Sequence, residues 1–144
     1  MKKVKLMMLV MIIGLMYSCK KEEEVVAPVE PSIVGVWTPT SAAVNYNATM
    51  GQMVLIDTSY TTTPSDPEWD FTDIEFTASG QMIMDGDTMQ YTYSGNVLTV
   101  TEDGDTETHP CTVTSTDMIV ILKDTEVDNG VTITSDITIN HIRQ

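Results

Sequence analysis

This chain of 144 residues holds little that could carry covalent or charge-driven chemistry. Its cysteines are Cys19 and Cys111 and its histidines are His109 and His141. Neither histidine has a serine or cysteine at a spacing that reads as a nucleophilic triad. Paired carboxylates occur only at turns, where acids stabilise the turn itself. No enzyme is expected. Cations are scarce: 7 Lys and Arg stand against 21 Asp and Glu, for a formal charge of −14. From residue 33 onward only Lys123 and Arg143 face 17 acids, a formal charge of −15. That balance excludes nucleic-acid binding, which needs clustered cations to neutralise phosphates. It also disfavours docking on an anionic lipid surface. Helical periodicity is absent, since no long window repeats apolar residues at three- and four-residue steps. The apolar run Leu6 to Met16 has eleven residues, well short of the roughly 20 that span a bilayer.

What is present starts at the N-terminus. Lys2, Lys3 and Lys5 precede that run, and Met16-Tyr17-Ser18-Cys19 closes it. A basic start, a short apolar stretch and a small residue before a break describe a secretory signal. The cysteine directly after the break makes it resemble a bacterial lipoprotein signal. The resemblance implies removal of residues 1–18 and lipidation of Cys19, palmitate included. Met16 and Tyr17 depart from the usual residues of that motif. Each buried acyl methylene contributes about 0.8 kcal/mol, so a multiply acylated cysteine holds firmly in a membrane. Lys20-Lys21-Glu22-Glu23-Glu24 reads as a solvated spacer. It also resembles the export tag of Bacteroidota lipoproteins, which implies an outer-membrane lipoprotein exposed on the cell surface, with a periplasm-facing orientation as the alternative. Residues 19–32 carry Pro28 and Pro31 and no periodic pattern, so a flexible tether is expected there. The folded domain is expected over 33–144, where Cys111 is left without a disulfide partner on a buried strand position.

Within 33–144, two-residue alternation predicts an all-β domain. Ile74 and Phe76 alternate with acids. Met82 and Met84 share a face, as do Met89, Tyr91 and Tyr93, then Leu98 and Val100, then His109, Cys111 and Val113. Asp85-Gly86, Gly95-Asn96, Asp103-Gly104 and Asn129-Gly130 punctuate these runs as hairpin turns. Met118 to Leu122 is continuously apolar, so both its faces are expected to be covered. Val131 to His141 is long for one strand, and a bend or bulge is expected near Ser135-Asp136. Val34 to Tyr46 and Met53 to Ile56 read as earlier strands. Residues 57–70 read as a loop that could cover one barrel end. Short links throughout predict an antiparallel up-and-down meander of about eight strands, which removes its edges by closing into a barrel.

Gly35-Val36-Trp37 on the first strand, the meander and the late Arg143 resemble the lipocalin group. With the lipoprotein signal and Tyr93-Ser94-Gly95-Asn96-Val97-Leu98 at a central hairpin, the chain is most similar to small lipocalin-like lipoproteins of Bacteroidota. The resemblance implies that Gly35, Trp37 and Arg143 close one barrel end structurally. It also implies that Met82, Met84, Met89, Tyr91, Tyr93, Leu98 and Val100 line an apolar cavity for a small hydrophobic ligand. A small barrel can instead be filled by such residues, which would leave a structural or protein-interaction module; the sequence leaves both open. Asp87-Thr88-Met89 matches the Bacteroidota O-glycosylation pattern. The methionines are not accompanied by His or Cys, and the acids of Asp124 to Gly130 miss the spacing of a calcium loop. No metal or cofactor is expected. The expected partners are the membrane, through the lipid anchor, and the ligand, with the domain a monomer.

Overall fold

The computed structural model describes residues 31–144. The expected signal, Cys19 and nearly all of the expected tether lie outside the described residues. Nine strands follow in chain order: β1 (Gly35–Met50), β2 (Met53–Thr62), β3 (Ile74–Phe76), β4 (Gln81–Met84), β5 (Asp87–Ser94), β6 (Val97–Glu102), β7 (Asp105–Val113), β8 (Asp117–Asp128) and β9 (Val131–Arg143). From β3 to β9 every strand pairs antiparallel with the next, and β1 closes the ring by pairing with both β3 and β9. The result is a closed eight-stranded barrel, consistent with a lipocalin-like one, plus the additional strand β2.

Turn chemistry explains the meander. Asp85-Gly86, Gly95-Asn96, Asp103-Gly104 and Asn129-Gly130 each link two strands, and all eight residues have positive φ. That is the turn geometry whose twist matches the flanking strands, and Asn, Asp and Gly tolerate it best. Alternation then sorts the side chains. Met82, Met89, Leu98, Cys111, Val113, Met118 and Val120 point inward and are buried together with Ile33, Trp37 and Phe76. Each large apolar side chain so buried contributes about 1.5–3 kcal/mol.

The strand β1 serves two neighbours in turn. Gly35 to Trp37 pair with Ile74 to Phe76 of β3, and Ala42 to Met50 pair with β2. Between these stretches the register against β9 slips at Pro39/Ser41, making Thr40 a bulge. The Thr40 hydroxyl donates to the Asn140 carbonyl (3.1 Å), and the Asn140 amide donates to Ser41 Oγ (3.0 Å). The extra residue keeps Pro39 and Ala42 on the same inner face, opposite His141 and Ile139.

The ring is short on one side. β7 and β8 share only the pairs Cys111–Val113 with Met118–Val120. Beyond them β8 pairs with β9 alone, and the order β2-β1-β9-β8 continues as a four-stranded sheet. The eight residues from Ile121 to Asp128 give this projection a length of about 25 Å.

Three expectations are corrected here. Residues 57–62 are not loop, because β2 runs to Thr62 on the edge of β1. The Met118–Leu122 run has one covered face only; Ile119 is exposed between buried Met118 and Val120. β9 passes Ser135-Asp136 without a register break, and the irregularity lies in β1 at Thr40.

Candidate functional site

The closed end of the barrel is built by β1, β9 and the residues before β1. Trp37 has no exposed surface, and its indole Nε1 donates to the Ile33 carbonyl at 2.7 Å. The guanidinium carbon of Arg143 lies 4.4 Å from the Trp37 ring centroid. This contact contributes about 0.5–2 kcal/mol. Arg143 Nη1 donates to the Val34 carbonyl (2.8 Å) and Nη2 to the Ser32 carbonyl. Gly35 has φ +141°, and a Cβ there would sit 3.0 Å from Arg143 Nη1. Only glycine lets the backbone reverse here and admits the guanidinium against it. Arg143 therefore lies against both the Trp37 ring and the Gly35 backbone.

The interior is occupied by side chains. Met82, Met89 and Leu98 belong to the buried cluster, while Tyr91, Tyr93 and Val100 pack against its margin. Met84 is exposed, beyond that cluster at the end of β4. The Phe76 and Tyr91 rings meet edge to face at 4.8 Å. Tyr91 donates its hydroxyl to the Thr77 carbonyl (2.9 Å), and burial raises its pKa. The Tyr93 hydroxyl donates to Asn96 Oδ1 at 3.2 Å. Cys111 is buried and unpaired, and burial pushes its thiol up to about 11. His141 is 3 % exposed, and its Nδ1 makes no hydrogen bond. Burial holds its pKa below the ordinary value, with the Met118 and Ile139 backbone and the Asp73 charge acting in the opposite sense. Among the described residues no three His, Cys, Asp or Glu converge in a way that could hold a metal ion.

The other feature is the projecting sheet. Registers place Val44, Tyr46 and Ala48 of β1 on one face with Ile137 and Ile133 of β9 and Tyr60 and Ile56 of β2, an apolar stretch bordered at the β8 edge of the same face by Asp124, Glu126 and Asp128. This face continues the inner wall of the barrel, because Ile139 and His141 lie on the same side of β9. The opposite face is polar, carrying Asn45, Asn47, Thr134, Asp136 and Lys123, with a Lys123–Asp136 ion pair at 3.4 Å. The apolar face is uncovered toward β2, where Ile56 is 47 % and Tyr60 52 % exposed. Beside the end of β2, Asp66 accepts from the Thr63 amide (2.7 Å) and from the Thr62 and Thr63 hydroxyls. The Thr63 bonds are the main cause of its lowered pKa. That turn frames a shallow concavity of about 210 Å³ lined by Tyr60, Thr61, Thr62, Asp66, Pro67 and Glu68.

Sequence reasoning missed this face. Its trace was present in the alternation of Ile56, Thr58 and Tyr60, which a loop assignment over 57–70 set aside. No family model, curated protein or solved structure matches the chain.

Proposed function

We propose that this chain is a lipid-anchored outer-membrane lipoprotein whose lipocalin-like barrel is a rigid, non-enzymatic interaction module. The observation that carries the reading is the filled interior. Three of the seven residues proposed as ligand-lining are core members, and three more pack on that core. A barrel so filled acts as a scaffold, and recognition falls to its outer surfaces. The anchor rests on Lys2, Lys3, Lys5, the run to Met16 and Cys19. The acidic domain is repelled by an anionic surface, so a tether of residues 19–32 would hold it clear of the membrane.

A second reading keeps the small hydrophobic ligand but moves it. The uncovered apolar face at Tyr46, Ile133, Ile56 and Tyr60 favours it over the barrel interior. One preparation tests both. Radiolabelled palmitate is expected to attach to the full chain and not to Cys19→Ala. Native mass spectrometry of the purified protein is expected to give, per chain, the mass of the polypeptide plus its lipid with no further small molecule. A stoichiometric extra small molecule would replace the first reading with the second. Absence of palmitate would remove the anchor.

A further inference from the structure

The strand β2 is a sheet edge whose one blunting device is a bulge at Leu55, where its register against β1 shifts, so residues 56–62 form its regular stretch. Natural edges are blunted by lysine, proline, inward-pointing charge or cover. β2 has ten residues, Met53–Thr62, with no lysine, no proline and Asp57 as its single charge. Among the described residues its only strand partner is β1. Nine of its ten residues are exposed, Met53 at 65 % and Val54 at 58 %. Its single acid contrasts with the acid-rich β8, which carries Asp117, Asp124, Glu126 and Asp128.

We infer that β2 pairs antiparallel with β2 of a second copy about a two-fold axis, joining two projecting sheets into one eight-stranded sheet. The inference rests on the reading of the barrel as an interaction module and names its partner. Charge selects this edge over the other one. The free edge of β8 carries Asp124, Glu126 and Asp128 on one face, so two β8 edges would set acids against acids. In the β2 arrangement those acids lie three strands from the contact, about 14 Å. This exceeds the Debye length of about 8 Å at physiological salt.

The register follows from symmetry. A two-fold axis normal to the sheet keeps each face on its own side, so opposed residues must share a face. Centring on Asp57 would oppose two carboxylates. Centring on Ser59 would oppose Ile56 to Thr62 and Thr58 to Tyr60, parting the two large apolar side chains and leaving Met53 to Leu55 without strand partners in the other copy. Centring on Thr58 opposes Thr58 to itself, Asp57 to Ser59 and Ile56 to Tyr60. The last is an aromatic–β-branched pair, a favourable cross-strand combination. The apolar faces of the two copies then run on continuously.

The test uses the full chain in a Cys19→Ala background. Directly opposed residues in an antiparallel ladder have Cα atoms about 4.5–5.5 Å apart, within disulfide reach. Thr58→Cys is expected to give a disulfide-linked dimer on mild oxidation. Asp57→Cys and Ser59→Cys, diagonal to their own copies at about 7–8 Å, are expected to cross-link at least about tenfold less at equal times. Light scattering is expected to show a dimer that Ile56→Lys/Tyr60→Lys converts to a monomer with an unchanged circular-dichroism spectrum, and the melting temperature of the unsubstituted edge, unlike that of the variant, is expected to rise with protein concentration. Added salt is expected to strengthen the dimer, because the two copies carry like charge. A monomer at concentrations up to about 100 µM would overturn the inference. So would equal cross-linking at all three sites, or a dimer indifferent to the edge lysines. None of these outcomes bears on palmitate attachment or on a bound small molecule.

Discussion

Single residues in this barrel act through burial. The neutral form of His141 is favoured because its ring is enclosed by Met118, Pro39 and Ile139 and has an unbonded Nδ1. Its folded pKa lies below the unfolded value of about 6.5. The folded state therefore binds fewer protons than the unfolded chain as pH falls below that value. Its contribution to stability is complete above about 6.5 and is lost progressively below it, by at most about 1.4 kcal/mol per pH unit. Melting temperatures measured between pH 7.5 and 5.5 are expected to fall more for the native protein than for His141→Phe. A parallel fall in both would assign the pH dependence to other groups. Burial likewise keeps the Cys111 thiol protonated, with a pKa of about 11, and so poorly reactive. At Gly35 the logic is steric, since φ +141° and the nearby guanidinium both reject a side chain. Alternation along β9 makes Arg143 readable as inward-facing. Its bonds to the Ser32 and Val34 carbonyls were not readable, because they depend on how the chain before β1 curls back.

Among the elements, β1 and β9 are divided between a closed half and an open half. Both halves have a strand on each edge, but only the closed half has the buried cluster beneath it. Local opening should follow that division. Hydrogen exchange is expected to be fastest in β2 and in Lys123–Asp128 of β8, and slowest in Leu98–Val100, Cys111–Val113 and Met118–Val120. Uniform protection along β8 would show that the open half is held from outside. The meander was legible because Asp-Gly, Gly-Asn and Asn-Gly leave a two-residue link few other conformations. The extent of β2 was not. Its run of Asp57, Thr58 and Ser59 lacks apolar contrast, and only the long edge of β1 extends it to Thr62. The bulge at Thr40 was hidden for a related reason. It serves a change of neighbour from β3 to β2, and periodicity within one strand cannot report which strands lie beside it. The run Met118–Leu122 misled because continuous apolarity signals two covered faces, yet Ile119 and Ile121 lie on the outer wall of a barrel only one sheet thick.

For the molecule as a whole, charge and shape pull on different properties. The described domain carries about seventeen acids against two cations, which promotes solubility and strains the compact state by self-repulsion. Moderate sodium chloride is expected to raise the melting temperature by a few degrees through screening, with most of the change below about 0.15 M. A decrease would mean that ion pairs such as Lys123–Asp136 outweigh the repulsion. Shape adds a mechanical consequence. β1 runs sixteen residues without a break from the sealed end to the tip beside β2, about 50 Å, and thirteen of them are paired with β9. Ladder bonds lie across the strand axis, so tension applied along β1 loads the whole row together and does not peel it bond by bond. A tug arriving at the tip would travel to Gly35, at the other end of the longest described strand, along one continuous ladder.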